Sequence, residues 1–309
     1  MGLADKKCNK GEWAELYVMF KLLGEGKLYA ADSHLRKKPD CYLEVLNIIR
    51  EEIAESILEY GIGSDGVIEV VQGEETLAKV PAKEFLANAK MLFEHLESAK
   101  GASVEAPAGV AQFADRIFVT KPKSPSVKKL GSFGGKTDIT IRLHDSRTSM
   151  TSIMGFSIKS QFAQAPTLFN AGTSSQLLFW MQGMSEDDAG AFNSLVDDGG
   201  KREWAKCVRL VADRGIEPTF IGTQFGVFRD NLLMIRESMA GLLACMYREA
   251  LLVDRSCTGV RELCSKVQAQ NPLDFNNTKV YEKAIKDFLF ASFAGLTAGK
   301  PWDGEEQIN

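Results

Sequence analysis

Between residues 11 and 23 the apolar side chains Trp13, Leu16, Tyr17, Val18, Met19, Phe20, Leu22 and Leu23 point in nearly every direction round a 3.6-residue period. That pattern predicts a buried helix rather than a surface one. A second periodic stretch opens at Pro39-Asp40 and sets Leu43, Leu46, Ile49, Ile53 and Ile57 at helical spacing ahead of Gly61, predicting a long helix. Residues 67–71 read as a strand. Residues 81–100 carry Phe85, Leu86, Ala89, Leu92, Phe93 and Leu96 on one stripe and predict an amphipathic helix stopped by Gly101. Two short apolar runs in the middle of the chain, Asp138-Ile139-Thr140-Ile141 and Phe156-Ser157-Ile158-Lys159, predict a β-hairpin. Further helices are expected at 187–196, 201–214, 232–252, 259–270 and 279–296, with no internal repeat of solenoid length.

The central hairpin carries the candidate chemistry, because its first run opens on a carboxylate and its second closes on a lysine. A phosphodiester is anionic and repels hydroxide. Its hydrolysis therefore needs a cation to neutralise the phosphate and a nucleophile available at neutral pH, and Mg²⁺ on a carboxylate serves both needs. Asp138 is the expected oxygen ligand. Lys159 is expected to orient or help deprotonate the attacking water and to stabilise developing charge. The alternative is a pair of strand-end charges facing solvent, so the surroundings matter.

Three features of those surroundings point to nucleic acid. Residues 116–136 contain Arg116, Lys121, Lys123, Lys128, Lys129 and Lys136 without one acid, in a chain of net charge −4 and pI near 5.6. Interleaved Ser, Pro and Gly mark that stretch as an exposed loop, where lysines reach phosphates. After Lys159 comes a run of amides and hydroxyls, Ser160, Gln161, Gln164, Thr167, Asn170, Thr173, Ser174, Ser175 and Gln176, suited to reading base edges. The expected DNA-binding residues are Lys121, Lys123, Lys128, Lys129, Lys136, Ser160, Gln161, Gln164 and Asn170. On the first helix, Glu12 and Glu15 have few routes to water. Capping explains Glu12, whereas Glu15 calls for a partner that a metal ion would supply.

Composition removes other classes. With 309 residues, 45% hydrophobic and 25% charged, the chain buries a large core and fits one elaborated domain or two smaller ones. No apolar stretch approaches the roughly 20 residues of a membrane span, and no signal region opens the chain. Cys8, Cys41, Cys207, Cys245, Cys257 and Cys264 show no zinc spacing and read as reduced thiols of a cytoplasmic protein. His34, His95 and His144 are scattered, and a strand-end role suits His144 better than general base. Gly61-Ile62-Gly63-Ser64-Asp65-Gly66 satisfies a dinucleotide pattern, but it follows an expected helix and precedes a strand, the wrong order for that site. Gly131-Ser132-Phe133-Gly134-Gly135-Lys136-Thr137 approaches a P-loop but has Leu130 where the first glycine belongs and leads into a strand.

Several segments together resemble the HpaII family of type II restriction endonucleases: 9–17 (Asn-Lys-Gly-Glu-Trp-Ala-Glu-Leu-Tyr), 27–32, 136–141, 155–161, 166–171 and the 300–304 segment Lys-Pro-Trp-Asp-Gly. The resemblance spans nearly the whole chain. It implies an α/β restriction-endonuclease-like (PD-(D/E)xK) core, a central mixed β-sheet flanked by helices, with large helical additions. As one elaborated domain over 1–309, it would have a catalytic core of about 110–185 plus the helix at 10–24, and a helical part at 186–309. It implies Mg²⁺-dependent hydrolysis of duplex DNA at a short palindrome, CCGG in the founding member, by a homodimer paired functionally with a DNA methyltransferase. Asp138 matches the metal-binding acid and Lys159 the motif lysine. Ser157 departs from the pattern, which has an acid two residues before the lysine. The metal shell is then completed either by Glu15 or by Gln161 and a backbone carbonyl, with Ser157 a weaker candidate ligand. Family chains continue beyond the Trp-Asp-Gly segment, which implies a C-terminally truncated sequence. The competing expectation is a catalytically inactive, sequence-specific DNA-binding module.

Overall fold

A computed structural model describes residues 3, 6–32, 34–53, 56–123, 137–162, 169, 172–253 and 259–304. The chain divides into two compact units, Met1–Thr167 and Leu168–Ile308, each with its own core. The expected core of 110–185 spans that division.

The first unit opens with β1 (Lys7–Asn9) and α1 (Lys10–Glu25). Asn9 caps the helix by accepting from the Glu12 N–H at 2.8 Å, while the Glu12 carboxylate accepts from the Asn9 N–H at 3.0 Å. This capping box accounts for Glu12, as expected. Gly26 ends α1 in the left-handed region at φ +66°, a conformation that costs glycine little, and the chain turns at once into β2 (Lys27–Ala31). There follow β3 (Lys37–Ile53), β4 (Ser56–Ile62), β5 (Val67–Gln72), β6 (Glu75–Pro81), α2 (Ala82–Ser98), β7 (Ser103–Glu105), α3 (Ala108–Arg116), β8 (Ile139–Asp145) and β9 (Met150–Phe156).

Among the described residues the main sheet has seven strands, in the order β6-β5-β4-β3-β8-β9 with β2 beside the first half of β3. Every pairing is antiparallel, which corrects the expected mixed sheet. The reason lies in the connections: β3 to β4, β4 to β5, β5 to β6 and β8 to β9 are short hairpins, and parallel neighbours need long crossovers. Leu58 and Tyr60, Ile68 and Val70, and Ile141 and Leu143 alternate with more accessible residues and bury one face of the sheet, joined by Ile139, while Thr140 next to it is buried as well. That face shares a core with Trp13, Leu16, Phe20, Phe85, Leu92 and Phe113 from α1, α2 and α3. Rings of Phe20, Phe85 and Phe113 meet edge-on, with centroids 4.9–5.9 Å apart.

The long helix expected from Pro39 is instead β3 and β4. A bulge at Leu46, where Val45 faces Leu143 and Asn47 faces Arg142, breaks the two-residue alternation of β3. The broken alternation produces the three- and four-residue spacing of a helix by coincidence. Pro39 falls in a second irregularity, between the pairs Tyr29–Tyr42 and Ala31–Lys37, where a missing N–H is tolerated. Gly61 and Ile62 accordingly end strand β4, and Gly63-Ser64-Asp65-Gly66 forms the β4–β5 hairpin turn, preceded by a strand rather than a helix.

The second unit contains the antiparallel pair β10 (Leu177–Gln182) and β11 (Glu217–Thr223). Its helices are α4 (Glu186–Ser194), α5 (Trp204–Asp213), α6 (Gly226–Ile235), α7 (Met239–Arg248), α8 (Val260–Gln270) and α9 (Lys279–Phe293). The single helix expected at 232–252 is broken: Arg236 is extended, α7 starts after Ser238, and a π-helical turn at Glu249–Val253 follows it. Hydrophobic periodicity runs through the break without a Pro or Gly, so only the polar triplet Arg236-Glu237-Ser238 signals it. Buried Asn231 on α6 donates to the carbonyls of Thr297 and Lys300 and accepts from the Trp302 N–H, all within 2.9 Å. That clamp gives the Lys-Pro-Trp-Asp-Gly segment a structural task.

Candidate active site

Asp138 immediately precedes β8, and its N–H donates to the Phe156 carbonyl at 2.9 Å, which fixes the start of the hairpin. The described part of β9 ends at Phe156, so Ser157, Ile158 and Lys159 follow the paired strand instead of closing it, a small correction to the expected layout. The Ser157 hydroxyl donates to Asp138 Oδ2 at 3.0 Å, and the Ile158 N–H donates to the same oxygen at 2.8 Å. Ile158 packs against the first core, whereas Ser157 and Lys159 on either side of it are exposed. Ser157 and Lys159 are thus both accessible on a segment whose middle residue is turned to the core.

Lys10 positions α1 against this segment, a task that its place in the resembling segment 9–17 did not reveal. It is only 6% exposed, and its Nζ donates to the Ala99 carbonyl at 2.7 Å and the Phe162 carbonyl at 3.4 Å. One face further along the helix, Tyr17 meets the Phe162 ring at 6.4 Å and the Phe93 ring at 5.4 Å. α1 thus lies against the residues that follow Lys159. Glu15 belongs to the same helix and is half-buried, with one carboxylate oxygen withdrawn from solvent. It stands about 140° round from Lys10 at 100° per residue, off the face that touches Phe162.

The remaining candidates are placed unevenly. Ser160 is half-buried and accepts from the Phe162 N–H at 3.2 Å, while Gln161 is exposed. Lys123 is exposed and Lys121 half-buried. Lys128, Lys129, Lys136, Gln164 and Asn170 lie outside the described residues, as does the P-loop-like stretch at 131–136. Arg116 is exposed but paired with Glu84, and Ile117, Val119 and Pro122 are buried, so Lys123 is the exposed lysine among the described residues of the acid-free stretch.

The start of that lysine stretch is held by an ion pair the sequence did not reveal. Arg50 and Glu52, both buried on β3, are hydrogen-bonded to each other. Arg50 also donates to the Lys121 carbonyl at 2.8 Å, and Glu52 accepts from the Thr120 N–H at 2.8 Å and its hydroxyl at 2.9 Å. Nearby Tyr60 donates to the Ile117 carbonyl at 3.1 Å, and burial pushes its phenol far above the usual range.

Among the described residues no three His, Cys, Asp or Glu side chains gather into a metal cage. Mg²⁺ does not require one, since it keeps several waters and binds through one or two carboxylates plus substrate phosphate. No donor among the described residues reaches Asp138 Oδ1, so a hard oxygen in a fixed direction fits that ion.

A family model described as HpaII restriction endonuclease matches residues 9–309. The type II restriction enzyme HpaII of Haemophilus parainfluenzae is 30% identical over 307 residues, covering 96% of this chain and 79% of the relative. No solved structure matches. Among the described residues, no helix is long and apolar enough to cross a membrane. A match over nearly the whole chain sets aside the inactive binding module and makes DNA the substrate: this chain belongs to the HpaII restriction endonuclease family and is a type II site-specific deoxyribonuclease.

Proposed function

We propose that the chain cleaves duplex DNA at the palindrome CCGG by Mg²⁺-dependent hydrolysis, with a restriction-endonuclease-like core in the first unit. The observation that supports this reading is the Asp138 carboxylate, held through one oxygen by Ser157 and Ile158, with the exposed Lys159 next along the chain. Asp138 holds the cation through its open oxygen, and Glu15 on α1 is the second acid. When bound, Mg²⁺ neutralises the scissile phosphate and favours deprotonation of water. Lys159 orients the attacking water by hydrogen bonding and offsets charge on the phosphoryl oxygens as they become more negative. Lys121 and Lys123, with Lys128, Lys129 and Lys136, contact the DNA backbone. Ser160, Gln161, Gln164 and Asn170 are assigned to base recognition, for which amides suit bidentate contacts.

A palindrome has two-fold symmetry, so a homodimer places one centre on each strand. A methyltransferase that modifies the same sequence is the functional partner that spares host DNA. Digestion of end-labelled duplexes carrying CCGG, a methylated CCGG or a scrambled site tests the assignment. Mg²⁺-dependent cuts confined to unmodified CCGG are expected. Cuts at another sequence would refute the proposed specificity, and cutting in EDTA would refute the metal requirement.

A further inference from the structure

Ser157 occupies the place where the acid-x-lysine pattern has a second carboxylate, and its geometry gives it a different task. Its hydroxyl proton is committed to Asp138 Oδ2 at 3.0 Å, beside the Ile158 N–H at 2.8 Å on the same oxygen. Two donors on one oxygen fix the plane of the carboxylate, and among the described residues no donor reaches Oδ1. An acid at 157 would instead set a second negative charge against Asp138, and the two would repel until a cation arrived. With serine there, the aspartate is ordered beforehand by neutral donors, and the same side chain has no charge to offer a second ion.

We propose that Ser157 is a positioning residue: it orients Asp138 so that the centre takes one hydrated divalent cation, and it is not itself a ligand. This rests on the reading of Asp138 as the metal-binding acid. Ser157 is exposed and stands just past β9, outside the core, so its replacement spares the fold.

The test uses the full chain and Mn²⁺ as the probe, with free Mn²⁺ followed by electron paramagnetic resonance in the absence of DNA. The Mg²⁺ concentration for half-maximal cleavage is measured alongside. Wild type is expected to bind one Mn²⁺ per chain at a site that Asp138→Ala removes. Ser157→Ala should weaken that site about tenfold, the effect of losing one hydrogen bond to a charged group. It should raise the half-maximal Mg²⁺ concentration by the same factor, with kcat at saturating Mg²⁺ nearly kept. Ser157→Thr, which restores the hydroxyl, should recover both. Mn²⁺ affinity and half-maximal Mg²⁺ unchanged in Ser157→Ala would overturn the inference while leaving Asp138 in place. Two ions bound per wild-type chain would overturn it as well. An Mn²⁺ site that survives Asp138→Ala would instead overturn the underlying reading of Asp138.

Discussion

Lys10 places an ammonium almost out of reach of water and satisfies it with main-chain carbonyls of Ala99 and Phe162. Replacing it with methionine keeps the stem but strands both carbonyls, at a cost of about 1–3 kcal/mol. Urea unfolding of Lys10→Met should show that loss, and its cleavage rate should fall because α1 no longer holds the segment after Lys159. Unchanged stability would mean that water replaces the ammonium. Tyr60 gives a pH prediction. Burial raises its phenol above the unfolded value of about 10, so the folded state keeps the proton that the unfolded state releases. The contribution is fully present below pH 10 and is lost as pH rises beyond it. Tyr60→Phe should accordingly flatten the decline of stability above pH 10, as followed by denaturant midpoints. At this scale the sequence was informative where chemistry is local: Asp138 and Lys159 stand out by type and place. Lys10, Arg50 and Glu52 did not: the carbonyls that Lys10 meets, and the Thr120 and Lys121 groups that the Arg50–Glu52 pair holds, lie tens of residues away, and no spacing rule connects them. Ser157 was visible as a departure, but its hydrogen bond to Asp138 depends on how β8 and β9 pair.

Elements were legible where one period ran uninterrupted. α1, α2 and β5 match their expected spans closely, as do α4, α5, α8 and α9 in the second unit; the β8–β9 hairpin forms, but β9 runs Met150–Phe156 and meets the expected second run only at Phe156. β3 was misread because its bulge at Leu46 shifts the alternation, and α6 and α7 were read as one helix because apolar spacing continues across the extended Arg236. β3 also carries the buried Arg50–Glu52 pair that secures Thr120 and Lys121. Removing one partner leaves an uncompensated charge in the core, so Glu52→Ala should cost about 3–5 kcal/mol. Arg50→Met with Glu52→Leu should cost less than the sum of the two single changes, as measured by a double-mutant cycle. Additive losses would show that the two side chains act separately.

As a whole the molecule is acidic, at net charge −4, so attraction to DNA depends on where the lysines are concentrated rather than on total charge. If Lys123 contacts a phosphate, Lys123→Ala should weaken binding to all duplexes alike and lower the slope of log affinity against log salt by about 1. An unchanged slope would remove it from the interface. The central claim is that the aspartate just before β8 and the lysine following β9 form one hydrolytic centre in this restriction endonuclease. Its most direct test is single-turnover cleavage of a CCGG duplex in Mg²⁺ by wild type, Asp138→Ala and Lys159→Ala, with binding of the same duplex measured in Ca²⁺. Both variants should bind the duplex and lose cleavage by about a thousandfold or more. Cleavage at the wild-type rate by either variant would contradict the account.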